Sequence, residues 1–220
     1  MSDIISAADA VARIQDGAVL MIGGFMGVGT PPRLIDELVR QGQKNLTVIA
    51  NDTARPGFGI GKLIEAGQVS KLITSHIGTN PMTQKQMIDG DIEVQLVPQG
   101  TLAERIRAGG YGLGAVVTPT GVGTIAAEGR QTIELEGKTY LIELPIKADF
   151  ALVNAKLSDY QGNLMYALTA RNFNPLMAMA AETVIAEAES IVPVGVISPD
   201  MIVTPHVVVD YLVAKETRNG

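Results

Sequence analysis

Buried strands and amphipathic helices alternate along the first half of this chain. Ile4, Ile5, Ala8, Val11 and Ala12 fall on one helical stripe, so the spacing predicts a helix over residues 3–14. After Asp16-Gly17, the run Ala18 to Ile22 is apolar without alternation, the pattern of a strand covered on both faces. A second helix follows the glycines, with Thr30 as its expected N-cap and Pro31-Pro32 in its first turn. Leu34, Ile35, Leu38 and Val39 form its buried stripe, while Arg33 with Glu37 and Asp36 with Arg40 are spaced as outward i,i+4 pairs.

The alternation then repeats. Strands are predicted over Leu46–Ala50, Lys71–Thr74 and Glu93–Val97, with a loop from Asn51 and a short helix at 60–66. Asn80-Pro81 opens a helix to about Ile88, and Thr101 with Glu104 has the spacing of a capping box. Residues 109–129 are rich in Gly, Thr and Pro and lack helical periodicity, the mark of a long functional or mobile loop. Gln131 to Leu144 alternates around Glu136-Gly137 and predicts a β-hairpin. Phe150–Val153 and Thr183–Ala186 supply further buried strands. The expected fold is α/β: one domain over 1–220, an open, mostly parallel sheet flanked by helices, with a β-hairpin insertion.

Composition narrows the function classes. Cysteine is absent, and the two histidines, His76 and His206, lie too far apart for metal-ligand spacing, so neither a disulfide framework nor a metal site is expected. The net charge of -6 argues against a nucleic-acid surface. The start of the chain lacks the basic and continuous apolar regions of a signal peptide, and no apolar run reaches the ~20 residues of a membrane helix. The expected location is the cytoplasm, away from membranes.

The sharpest local feature is Gly23-Gly24-Phe25-Met26-Gly27-Val28-Gly29-Thr30-Pro31, between a buried strand and a helix. Glycines admit positive φ and close approach of a ligand, and a helix N-terminus favours an anion. The dinucleotide fingerprint fails because Pro32 stands at its third glycine, and the P-loop fails because Leu63 follows Gly61-Lys62. The residues alone leave both anion binding and a tight structural turn open.

Asp16 to Pro31 resembles the signature of the family I coenzyme A transferases, in their alpha subunits or N-terminal halves. Asn51-Asp52, Pro98 to Gly110, Thr118 to Thr124, Ala170 to Asn174, Ala180 to Thr183 and Ile191 to Val209 resemble the same family in the same order. The resemblance implies transfer of CoA between acetyl-CoA, or another short acyl-CoA, and acetoacetate or a short-chain fatty acid. The family's reaction is ping-pong, through an acyl-enzyme anhydride and an enzyme–CoA thioester. Its glutamate nucleophile lies in a Ser-Glu-Asn-Gly motif on a beta subunit, and this sequence contains no such motif. A beta partner in an α2β2 assembly is therefore implied, with CoA as a substrate and no permanently bound cofactor.

By the same resemblance, Gly24, Phe25, Met26, Gly27, Val28, Gly29 and Thr30 match the CoA-binding loop. Gln99 matches a glutamine that donates to the oxyanion of the tetrahedral species. Asn51 follows a predicted parallel strand, in the same ligand-facing layer by topology, and on that ground is assigned to substrate contact. Each has a plainer reading beside it: Gln99 can serve the backbone ahead of a helix, and Asn51-Asp52 is a common turn pair. His76 is read as structural, and Met21, Met26 and Met177 as gap-fillers. Glu104 is read as a helix cap, while Arg105 and Arg107 belong either to a solvated helix face or to CoA phosphates. Thr79 stands where some relatives carry glutamate, which leaves ketoacid against simple-acid preference open. The competing functions are a non-catalytic phosphometabolite sensor of the same architecture and a self-sufficient thioester hydrolase, the latter without a visible nucleophile–base pair.

Overall fold

A computed structural model describes residues 2–214. In chain order the elements are β1 (Asp3–Ile5), α1 (Ala7–Val11), β2 (Val19–Ile22), α2 (Pro32–Gln41), β3 (Leu46–Asp52), α3 (Gly61–Glu65), β4 (Val69–His76), α4 (Pro81–Asp89), β5 (Glu93–Leu96) and α5 (Gln99–Gly110). There follow β6 (Val116–Thr118), β7 (Gln131–Leu135), β8 (Lys138–Glu143), β9 (Ala148–Asp159), β10 (Leu164–Met165), α6 (Asn174–Ala178), β11 (Ala181–Val192) and β12 (Tyr211–Val213). Among the described residues these form a nine-stranded sheet, ordered β1-β12-β11-β9-β2-β3-β4-β5 with β10 attached to β9. Every pairing along that path is parallel, and only β10 runs antiparallel. The hairpin insertion is the outer part of a separate antiparallel sheet, β6-β8-β7.

Alternate residues of the central strands point to opposite faces, and both faces are covered. Met21 and Ile49 join one core with Leu102, Ile106, Phe173 and Met177, under α5 and α6. Leu20, Ile22, Val48 and Ala50 join the other with Leu34, Ile35, Leu38 and Leu72, under α2 and its neighbours. This is why Ala18 to Ile22 carries no polar alternation. The hairpin turn is likewise as read: Glu136 and Gly137 take φ of 50° and 73°, the two positive values a type I′ turn requires. Asn80 caps α4, its Oδ1 accepting from the amides of Met82 and Thr83.

Several local readings are corrected. Residues 3–14 are not one helix: Asp3–Ile5 pair in parallel with Tyr211–Val213, and α1 starts only after Ser6. Thr30 does not cap α2; its buried Oγ1 donates to the Gly23 carbonyl at 3.0 Å, and Pro31 holds the cap position without a side-chain bond. Val39 is exposed rather than part of the buried stripe. The expected i,i+4 pairs are replaced: Arg40 bonds Glu37, Lys62 pairs with Asp36, and Arg33 reaches Glu187 on β11. The capping box fails because α5 begins three residues earlier, at Gln99, with Pro98 rather than Thr101 at the cap position. Thr101 is buried with no partner for its hydroxyl, and Glu104 pairs with Arg107 instead. Arg105 is buried against Glu143 and the Leu144 carbonyl, while Arg107 is exposed as expected. The irregular stretch 109–129 contains the end of α5, the strand β6 and a turn of 3-10 helix at Ile125–Ala127.

Candidate active site

Because the sheet is parallel, the C-terminal ends of β2, β3 and β4 and the start of α5 share one edge, where open α/β sheets take their ligands. Phe25, Met26, Asn51, Asp52, Ser75, His76 and Gln99 line a pocket of about 270 Å³ there. The glycine segment forms a two-residue hairpin turn over it. Phe25 and Val28 exchange both backbone bonds at 2.9 Å, and Met26 and Gly27 sit at φ of 51° and 81°. A methionine rarely occupies that region, so an external constraint must hold it.

The constraint is Asp52. Its Oδ2 accepts from the Met26 amide at 2.9 Å and from Asn51 Nδ2 at 2.6 Å, and its Oδ1 accepts from the Ala54 amide at 2.7 Å. Asn51 in turn accepts at Oδ1 from Gln99 Nε2 at 2.6 Å, with Ser75 Oγ 3.1 Å from the same oxygen. Ser75 and Thr74 also donate to the Asn51 carbonyl, at 2.8 and 2.9 Å. Asn51 is thus buried and engaged on both amide atoms, whereas Gln99 is exposed at the pocket mouth with one hydrogen of its Nε2 uncommitted.

Among the described residues lining the pocket, Asp52 is the only carboxylate, and three donors already occupy it. The pocket therefore offers hydrogen-bond donors and an amide-fixed geometry, but no free carboxylate. His76, read as structural, is instead exposed on the pocket wall with its ring over Gly78, where an added Cβ would lie 2.7 Å from Cε1. Ser75 and Asp52 were missed as contributors. An acidic residue directly after the candidate Asn51 was the available signal for Asp52, since short acidic side chains shape turns two residues on.

Of the seven loop residues, only Met26 and Val28 are exposed at its tip; Gly24 and Thr30 are buried against each other. The helix behind the loop is not free to hold an anion. Glu187 Oε2 accepts the amides of Arg33 and Leu34 at 2.9 and 3.0 Å, so a protein carboxylate fills the N-terminus of α2. Burial raises the Glu187 pKa above the ordinary carboxylate value, against the lowering effect of those amides and of Arg33. The helix whose N-terminus lacks a side-chain cap beside the pocket is α5, which starts at Gln99 itself. A larger depression of about 570 Å³, bounded by Arg33, Asn154, Glu187 and Glu189, lies on the far side of Gly29 and Thr30 and carries two carboxylates. No group of three or more metal-ligating side chains occurs among the described residues.

Residues 4–215 match the family model described as coenzyme A transferase. This chain belongs to the coenzyme A transferase family. It is 53% identical over 208 residues to the acetate CoA-transferase subunit alpha of Escherichia coli K12, covering 94% of each chain. It is 52% identical over 199 residues to the acetoacetyl-CoA:acetate/butyrate CoA transferase alpha subunit of Clostridium acetobutylicum, covering 90% of this chain and 91% of that one. Among solved structures, an acyl-CoA transferase from Escherichia coli O157:H7, in thioester complex with CoA, superposes with a TM-score of 0.86 at 22% identity. The match covers 97% of this chain and 47% of that one, so the chain spans about half the length of that neighbour. The coenzyme A transferase reading stands, and the non-catalytic sensor gives way to it.

Proposed function

We propose that this chain is the alpha subunit of a coenzyme A transferase that moves CoA between acetyl-CoA, or another short acyl-CoA, and acetoacetate or a short-chain fatty acid. The observation that carries the reading is the exposed Gln99 amide. It is tethered by Asn51 at the mouth of a donor-lined pocket whose one carboxylate, Asp52, already accepts three hydrogen bonds. A tetrahedral species at a thioester carbonyl develops an oxyanion, and preorganised donors stabilise it most where water is excluded. Gln99 Nε2 supplies such a donor, and the uncapped start of α5 adds positive potential at the same place.

The attacking carboxylate then comes from a second chain, a beta subunit carrying Ser-Glu-Asn-Gly in a cytoplasmic α2β2 complex. That glutamate attacks the acyl-CoA carbonyl and expels CoA thiolate, leaving an acyl anhydride. The thiolate attacks the enzyme's glutamyl carbonyl, releases the first acid and forms an enzyme–CoA thioester. A second acid attacks that thioester and takes CoA away after an anhydride of its own. Within this scheme the exposed tip at Met26 and Val28 packs along the CoA arm, and the inner residues Gly24 and Thr30 hold the turn's shape instead of touching CoA.

The test is copurification with the partner chain, followed by assay against a panel of acyl donors and acids. Turnover by the complex and none by this chain alone is the expected result. Borohydride after acyl-CoA should inactivate the complex and leave the isolated chain unmodified. A complex that binds CoA and turns over no pair of acids sinks the assignment.

A further inference from the structure

We propose that Asp52 is a positioning residue that sets which way the Gln99 amide points, and that it couples this to the shape of the glycine turn. The inference rests on the reading of Gln99 as an oxyanion donor. A side-chain amide has a donor end and an acceptor end of nearly equal shape, so only its partners decide its orientation. Asp52 settles the matter from the buried end. The amides of Met26 and Ala54 can only donate, which fixes both Asp52 oxygens as acceptors. Asn51 must therefore turn its Nδ2 to Asp52 and its Oδ1 outward. Gln99 must then present Nε2 to that Oδ1, which places its remaining N–H at the pocket mouth. Ser75 adds a hydroxyl beside the same oxygen and reinforces the polarity of the chain.

The same carboxylate holds two non-glycine residues at positive φ: Met26 at 51° in the turn after β2, and Ala54 at 53° in the turn after β3. Such conformations persist only where the surroundings over-determine them. A ligand pressing on the Met26 turn is thus two hydrogen bonds from Asn51 and three from Gln99. On this reading the contribution of Asn51 is to orient Gln99, because its own oxygen and one of its amide hydrogens are committed.

The substitution Asp52→Asn keeps the volume but adds a donor where only acceptors fit. The new amide nitrogen must face a backbone N–H that can only donate, at Ala54 or at Met26, which weakens the hold on both turns and loosens the orientation of Asn51 and, through it, of Gln99. In the complex of this chain with its copurified partner, Asp52→Asn should lower kcat between about 10-fold and 100-fold, less than the roughly 10²–10³ expected from losing the amide itself. The KM for the acid should move by less than about 3-fold, since a group acting only in the transition state leaves ground-state binding unchanged.

The deciding measurement is a double-mutant cycle, which separates a residue acting through Gln99 from one that merely supports the fold. Asp52→Asn should cost little further kcat in a Gln99→Ala background. Asn51→Ala, which leaves the Met26 and Ala54 bonds intact, should show the same non-additivity and serves if Asp52→Asn folds poorly. Wild-type kcat in Asp52→Asn, or losses that multiply with Gln99→Ala, overturns the proposal. An inactive wild-type complex overturns the transferase reading first, and this inference with it.

Discussion

The carboxylate of Glu187 accepts the backbone amide of Arg33 at 2.9 Å, and its other oxygen lies 3.1 Å from the Nε of the same residue. A strand residue thus caps a helix from 154 positions away, in place of the threonine next to the helix. Arg33 is held in turn by the carbonyls of Ala188 and Val213, at 2.8 and 3.3 Å, which ties α2 to β11 and β12. Removing one partner of a buried pair leaves the other charge and the helix amides unmet. Glu187→Ala should therefore cost about 3–5 kcal/mol in urea unfolding. A loss below about 1 kcal/mol, the range of an exposed pair, would show that the cap is dispensable.

The same carboxylate gives a pH prediction. Burial, the largest influence on it, raises its folded pKa above the unfolded value. Such a group takes up its proton first in the native state. Its contribution is fully present below the unfolded pKa and is lost as pH rises through the folded one. Measured against Glu187→Gln, the wild-type protein should gain relative stability as pH falls from neutral toward the ordinary carboxylate range. A difference that shrinks on acidification would mean that the helix amides and Arg33 outweigh burial.

Gln99→Ala should lower kcat of the assembled enzyme by roughly 10²–10³ and leave CoA affinity nearly unchanged, as removal of an oxyanion donor does. Gln99→Glu should be worse still, because a second negative charge would face the developing oxyanion and the Asn51 oxygen. Steady-state kinetics with separate determination of CoA binding checks both. Weaker CoA binding with kcat unchanged would place Gln99 on the ground-state side.

Much of this was legible because the deciding signals were local. The doubly covered β2, the Glu136-Gly137 turn and the Asn80 cap each depend on residues a few positions apart. What could not be read depends on partners brought from far along the chain. Ile4 and Ile5 fit a helical stripe, but Tyr211–Val213 offers them a parallel strand to join. Thr30 has the right chemistry for a cap, yet Glu187 occupies the amides it would have served. Gln99 is marked by the resemblance and Asn51 by its place after a parallel strand, while the bond between them, and the role of Asp52 behind it, require the sheet edge to be assembled.

Gly23 tests how closely the glycine segment packs on α6. An added Cβ would lie 1.8 Å from Asn174 Oδ1 and 2.4 Å from its Cγ. Asn174 cannot move aside freely: it is fully buried, accepts from the Asn154 amide at 3.0 Å and donates to the carbonyls of Gly29 and Ala170 at 3.0 Å. Gly23→Ala should destabilise by about 3 kcal/mol, the upper end of overpacking costs. Gly42→Ala is the control, since nothing lies within 4 Å of its Cβ and only its φ of 78° opposes the change. Gly23 itself takes no positive φ, so a loss there no larger than that of Gly42→Ala would show that Asn174 yields to the added methyl group.

Arg105 and Arg107 look alike in the sequence, two residues apart on one helix, but their environments differ enough to predict opposite outcomes. Arg105 is buried, donates to the Leu144 carbonyl at 2.7 Å and lies 3.5 Å from Glu143, which also meets Arg130 at 3.4 Å. Burial pushes its pKa below the usual guanidinium value, while Glu143 pulls the other way. Glu143 sits at the end of β8, so this cluster fastens the three-stranded sheet to α5. Glu143→Ala strands two guanidinium groups, one of them buried, and should cost about 3–5 kcal/mol. Arg107 instead pairs with Glu104 in the open, and Arg107→Ala should fall within about 1 kcal/mol of wild type. Hydrogen exchange localises the effect: Glu143→Ala should deprotect β6, β7 and β8 before the parallel sheet, because the cluster joins the two. Uniform loss of protection across both sheets would mean that the smaller sheet does not open on its own and that Glu143 stabilises the domain as a whole.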